Sequence, residues 1–125
     1  MLNNHCIYSD SLSSSNISER SGIVIYVIAT VEIFEGKKGE YLRELKKVIP
    51  DVHAEIGCLE YGPAGDVATD IPVQDPANEN VVTIIERWTD IQALKDHLQT
   101  PHMKTYREAT KSFIKGLSVR ILKPL

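Results

Sequence analysis

The segment Ile23–Ile33 constrains the fold of this chain most. It reads Ile-Val-Ile-Tyr-Val-Ile-Ala-Thr-Val-Glu-Ile. β-Branched residues dominate it, so it is a strand. Side-chain alternation puts Ile25, Val27, Ala29 and Val31 on one face and Val24, Tyr26 and Ile28 on the other. A strand that is apolar on both faces needs cover on both. A chain of 125 residues can supply helices for one face of a sheet. The other face asks for a second sheet, and a second copy of the chain is the simplest source.

The following residues place this strand in a larger pattern. Gly36-Lys-Lys-Gly39 is a turn, and helical spacing begins at Glu40 with Tyr41, Leu42, Leu45, Val48, Ile49 and Val52. Pro50 is expected to kink or end that helix, with one more turn to Glu55. After the Ile56-Gly57 break, Cys58–Tyr61 reads as a short strand. The stretch 62–80, rich in Gly, Pro, Asp and Asn, reads as a long loop. Val81–Trp88 is a second clear strand. Thr89 and Gln92 have capping-box spacing for a helix with Ile91, Leu94 and Leu98 on one stripe. Thr100-Pro101 restarts the helix with a cap residue and a proline at its first position. Met103, Tyr106, Thr110, Phe113 and Ile114 continue the stripe, Gly116 is expected to stop it, and Leu117–Leu122 is the last strand. The order β-α-β-β-α-β is the α+β ferredoxin-like arrangement. Residues 23–125 form this domain. Residues 1–22, rich in Ser and Asn, are expected to be a flexible polar tail.

Charge and cysteine content narrow the function classes. Fourteen Lys plus Arg against seventeen Asp plus Glu give a net charge of -3, which is the wrong sign for a nucleic-acid binder or a partner of anionic membranes. No apolar run approaches a bilayer span. Two cysteines, Cys6 and Cys58, do not make a disulfide framework. With no secretory leader at the N-terminus, the expected location is the cytoplasm. Phosphate-cradling glycine loops, the dinucleotide fingerprint and the Gly-x-Ser-x-Gly elbow are all absent. His97 and His102 are five apart across a helix break, so the i, i+4 metal pair is missing, and no metal is expected.

The chemistry-bearing residues gather near the apolar sheet. Val82, Ile84, Glu86 and Trp88 share one face of their strand. Glu86 is then either a pocket acid or base with a pKa raised by desolvation, or one half of an ion pair with Arg120 or a helix lysine. His97 borders the apolar stripe of its helix, as a general base facing the sheet or as a half-exposed surface ring. His102 opens the next helix as a second candidate base. Tyr61, Trp88 and Tyr106 either line a pocket or fill the core.

A combined pattern bears on these alternatives. Glu55-Ile-Gly-Cys-Leu-Glu-Tyr61, Val81–Trp88, Ala93-Leu-Lys-Asp-His97-Leu98 and Pro101-His102-Met103 together resemble the antibiotic biosynthesis monooxygenase family, in its branch of small quinol monooxygenase-like proteins. The resemblance spans about residues 23–122. It implies a ferredoxin-like protomer, a homodimer whose sheets form an α/β barrel, and a pocket between sheet and helices. It also implies oxidation of a quinol or polyphenol by O2 with no metal or flavin, and it carries His97, Glu86 and Trp88 over to recurrent family positions. The haem-degrading branch pairs an Asn on the first strand with a Trp on the second helix. This chain has neither, so haem is not the expected substrate.

On that reading His97 takes a phenolic proton, with His102 as the alternative base. Glu86 orients the imidazole or holds a second hydroxyl, and Trp88, Tyr61 and Tyr106 wall the small aromatic substrate. Two other readings fit the same residues. One is an isomerase of a small polar or phosphorylated metabolite, which needs Arg87 or Arg120 near the pocket. The other is a non-catalytic ligand-binding dimer, whose pocket large apolar side chains would close.

Overall fold

The computed structural model describes residues 22–125. The expected tail lies outside the described residues apart from Gly22. Among the described residues four strands and three helices follow one another as β1 (Ile25–Ile33), α1 (Lys38–His53), β2 (Cys58–Ala64), β3 (Val81–Trp88), α2 (Ile91–Leu98), α3 (Pro101–Thr110) and β4 (Ile114–Leu122), with a 3-10 turn at Lys111–Phe113 before β4. The sheet order is β2-β3-β1-β4, and every neighbouring pair is antiparallel. This is the expected ferredoxin-like topology.

β1 sits inside the sheet because it is the most apolar strand. Ile25, Val27, Ala29, Val31 and Ile33 are all buried on one face. Tyr41, Leu45, Val48 and Val52 of α1 are buried in the same core. Each such aliphatic side chain contributes about 1.5–3 kcal/mol on full burial. The opposite face of the sheet is only partly covered: Tyr26 and Ile85 are each 37% exposed.

Several boundaries differ from those read in the sequence, each for a local reason. α1 continues through Pro50 to His53. A proline in the last turn forfeits one backbone bond, and fully buried Val52 holds that turn against the core. β2 extends past Tyr61 through Gly62 and Pro63, because an edge strand tolerates a proline. The loop therefore shrinks to 65–80. The cap of α2 is Asp90, whose side chain accepts the Ala93 N–H at 2.8 Å, rather than a Thr89–Gln92 box. Gly116 lies within β4, not at a helix end. It faces Glu32 of β1, and a Cβ there would come 2.8 Å from Glu32 Oε1. Thr100 caps α3 as expected, accepting from the Met103 N–H at 3.3 Å with Pro101 behind it. Among the described residues no helix is long and apolar enough to cross a membrane.

Candidate active site

The buried face of the sheet and the helices α2 and α3 enclose a cavity of about 420 Å³. Its floor is Val27, Ala29 and Val31 of β1 with Ile84 of β3. Leu94, Leu98 and Met103 close it from the helices, and Leu117, Val119 and Ile121 of β4 form its open side. Glu86, His97, Tyr61 and Tyr106 bring polar atoms to this apolar space.

His97 is the centre of the polar cluster. It stands on α2 and is only 2% exposed, so the sequence alternative of a half-exposed ring is set aside. Its ring packs on Trp88 with centroids 4.6 Å apart and on Tyr61 at 5.4 Å. Nδ1 lies 3.1 and 3.0 Å from the two carboxylate oxygens of Glu55. In a neutral ring, an ionised Glu55 would accept from Nδ1–H, which selects the tautomer whose Nε2 carries no hydrogen. Glu55 belongs to the turn between α1 and β2, where its own N–H bonds the Val52 carbonyl and its carbonyl accepts from Cys58 N–H.

Glu86 has a different partner from those expected. Its Oε1 accepts the indole N–H of Trp88 at 2.9 Å. Arg120 stands opposite Ile28 while Glu86 stands opposite Val27, so the arginine faces the other side of the sheet. Arg87 also faces away and gives its Nε–H to Glu60 at 3.0 Å. Burial pushes the Glu86 carboxyl above its usual range, while the hydrogen bond from the Trp88 indole and the nearby His97 ring pull it partly back. Glu86 therefore favours its protonated form more than an exposed glutamate does. Burial likewise raises the phenols of Tyr61, Tyr106 and Tyr41, so all three remain hydroxyl donors. Tyr106 and Tyr41 join their hydroxyls at 2.7 Å.

The structure thus brings His97, Glu86, Tyr61 and Tyr106 to one cavity and leaves two candidates outside its lining. Trp88 is fully buried behind His97, so it backs the imidazole and does not wall the cavity. His102 turns its Nε2 to Glu55 at 2.5 Å and lines a separate outer cleft with Lys47 and Asp51. The carboxylate that orients His97 is Glu55, not Glu86. Only its place at the head of the Glu55–Tyr61 motif marked it, since pairing across 42 residues has no local periodicity. Among the described residues no group of three or more His, Cys, Asp or Glu side chains is arranged to hold a metal ion.

Comparison with known proteins agrees with this architecture. The chain is 38% identical over 103 residues to the probable quinol monooxygenase YgiN of Escherichia coli K12, covering 81% of this chain and 98% of that one. A Pseudomonas aeruginosa crystal structure superposes with a TM-score of 0.70 at 24% identity, covering 82% of this chain and 95% of its own. A conserved Methanosarcina mazei protein gives 0.71 at 22% identity, covering 86% and 99%. These two likenesses carry the fold alone. The profile of the family described as antibiotic biosynthesis monooxygenase matches residues 24–109, which takes in Glu55, Glu86, Trp88, His97 and His102 together. With the fold, the sequence identity and this match in agreement, the chain belongs to the antibiotic biosynthesis monooxygenase family and is a monooxygenase by class.

Proposed function

We propose that the chain oxidises a quinol or polyphenol-type small aromatic molecule with O2 and needs no metal or organic cofactor. The observation that carries this reading is His97: a buried imidazole at an apolar cavity, with Nδ1 held by a carboxylate and Nε2 left as a base. The quinol relationship of its Escherichia coli relative supports the substrate class.

The chemistry balances without an outside reductant. His97 Nε2 takes a phenolic proton, and the phenolate gives one electron to O2. The two radicals combine to form a C–O bond at a ring carbon, and loss of water across the O–O bond leaves a ring carbonyl. One oxygen atom ends in the product and the other in water, and the quinol supplies all four electrons. A phenol near pKa 10 and an imidazole near 6.5 make the first step uphill by about 5 kcal/mol. The Glu55 carboxylate, 3.0 Å from the imidazolium that forms, offsets part of this. Glu86, inclined by burial toward its protonated form, would donate to the phenolate through the oxygen that Trp88 does not hold. Tyr61 and Tyr106 would flank the ring.

Neither other reading gains an observation of its own. Arg87 and Arg120, the cations an isomerase of phosphorylated metabolites would use, face away from the cavity. Arg107 and Lys111 line it, but Arg107 donates to the Leu98 carbonyl at 3.0 Å and Lys111 pairs with Glu108 at 2.8 Å. A closed non-catalytic pocket would not expose Glu86 and His97 to a 420 Å³ space.

Oxygen uptake after chelation, with a panel of quinols, tests the proposal. Wild type should exceed quinol autoxidation, and His97→Ala should lose about a hundredfold or more of that excess. Uptake equal to autoxidation in wild type, or wild-type rates in the variant, would sink it.

The half-exposed sheet face with Tyr26 and Ile85 supports a homodimer closed sheet to sheet. Sedimentation should give twice the chain mass for wild type and a monomer for Ile85→Lys. A monomeric wild type would refute the dimer.

A further inference from the structure

Glu55 accepts from two imidazoles at once. His97 reaches it from α2 at 3.0 Å, and His102 reaches the same Oε2 from α3 at 2.5 Å. Exposure rises along the row: the side chains of His97, Glu55 and His102 are 2%, 11% and 23% exposed. The inner ring looks onto the substrate cavity, and the outer ring lines a cleft beside Glu44, Lys47 and Asp51 of α1 and Thr105 and Tyr106 of α3.

A glutamate on a turn is a poor clamp by itself. Its side chain has three rotatable bonds, and ordering them costs conformational entropy. Backbone bonds such as Glu55 N–H to the Val52 carbonyl and Thr89 N–H to the Gly57 carbonyl close the turn at Ala54–Gly57, but they hold the main chain and not the carboxylate. Something must hold the carboxylate where both its oxygens meet His97 Nδ1. The only other side chain bonded to Glu55 among the described residues is His102. Its own place is secured by the N-terminus of α3, where Thr100 and Pro101 fix the first turn. The two ring donors enter from different helices, so together they fix the carboxylate's rotamer and its plane.

We propose that His102 is a positioning residue: by donating from Nε2 to Glu55 it fixes the carboxylate that keeps His97 as the Nδ1–H tautomer, with Nε2 bare toward the cavity. The inference deepens the reading of His97 as the base and rests on it. It moves His102 from a rival base to a support of the base. The chain runs His102 Nε2–H to Glu55, and Glu55 to His97 Nδ1–H, with no proton transferred between them during turnover.

The test separates tautomer from turnover. Long-range nitrogen–proton NMR of 15N-histidine-labelled protein, in mildly alkaline buffer, reports which nitrogen of His97 carries the hydrogen. Wild type should show one form, Nδ1–H. His102→Ala should show a mixture of both tautomers. His102→Gln, whose amide nitrogen takes the place of Nε2, should restore the single form. In oxygen uptake His102→Ala should lose roughly tenfold in kcat with KM within about twofold, and His102→Gln should recover most of that loss. A single unchanged Nδ1–H form in His102→Ala would overturn the proposal. So would a wild-type His97 protonated on Nε2, or equal disorder in both variants. Absence of quinol-dependent uptake beside the expected tautomer pattern would instead overturn the monooxygenation reading and leave the positioning role standing.

Discussion

Trp88 donates its indole N–H to Glu86, two residues earlier on the same face of β3, at 2.9 Å. The same indole ring packs on His97. One side chain thus holds both Glu86 and His97 at the cavity. Trp88→Phe keeps the aromatic contact and removes the donor. It should cost roughly 1–3 kcal/mol in a denaturant titration and raise the Glu86 carboxyl further. An unchanged midpoint together with an unchanged carboxyl titration by NMR would show that the bond contributes nothing.

The raised Glu86 pKa has a sign that can be worked out. The folded state holds the proton more tightly than the unfolded state, in which glutamate titrates in its ordinary range. As pH rises from that range through the folded value, the native state binds more protons than the unfolded one. Stability contributed by Glu86 therefore falls across that window. Glu86→Gln cannot ionise, so it should lack this decline and gain on wild type as pH increases. Parallel pH–stability curves for the two proteins would contradict the desolvation argument.

Glu55→Gln keeps the shape of the side chain but removes the charge that faces His97. The neutral amide can offer its N–H to Nδ1, which selects the other tautomer. Turnover should fall by more than about tenfold, with KM changed by less than about twofold, in steady-state oxygen uptake. Equal losses in the two constants, or none, would remove Glu55 from the site.

Gly57 closes the turn that carries Glu55. Its φ is +90°, and a Cβ would lie 2.6 Å from Ala93 Cβ and 2.8 Å from Thr89 Oγ1. Gly57→Ala should destabilise the fold by roughly 2–4 kcal/mol and lower turnover by pushing the turn away from α2. Thermal unfolding at the wild-type temperature would show that the turn tolerates a side chain.

The sequence made the alternating strands and the helix stripes legible, because burial follows a period that one chain segment displays by itself. Val81–Trp88 is the clearest case, with its bounds and its face of Val82, Ile84, Glu86 and Trp88 all recovered. His97 was legible as a candidate from its place beside the stripe. Its carboxylate was not, since Glu55 reaches it from a turn 42 residues away. The Pro50 and Gly116 boundaries went astray for a related reason. Local propensity marks both as breaks, while tertiary contacts around Val52 and the β1–β4 pairing carry the regular structure through them.

The two rims of the sheet are unequal. β2 ends in Gly62-Pro63-Ala64, and Pro63 has no N–H with which to recruit another strand. β4 presents Leu117, Val119 and Ile121 half-exposed along the opposite rim, with no proline from Ile114 to Leu122. An added strand would therefore meet an uninterrupted row of main-chain donors along β4 and a broken one along β2. A sheet with one continuous edge and one interrupted edge is guarded against growth in both directions.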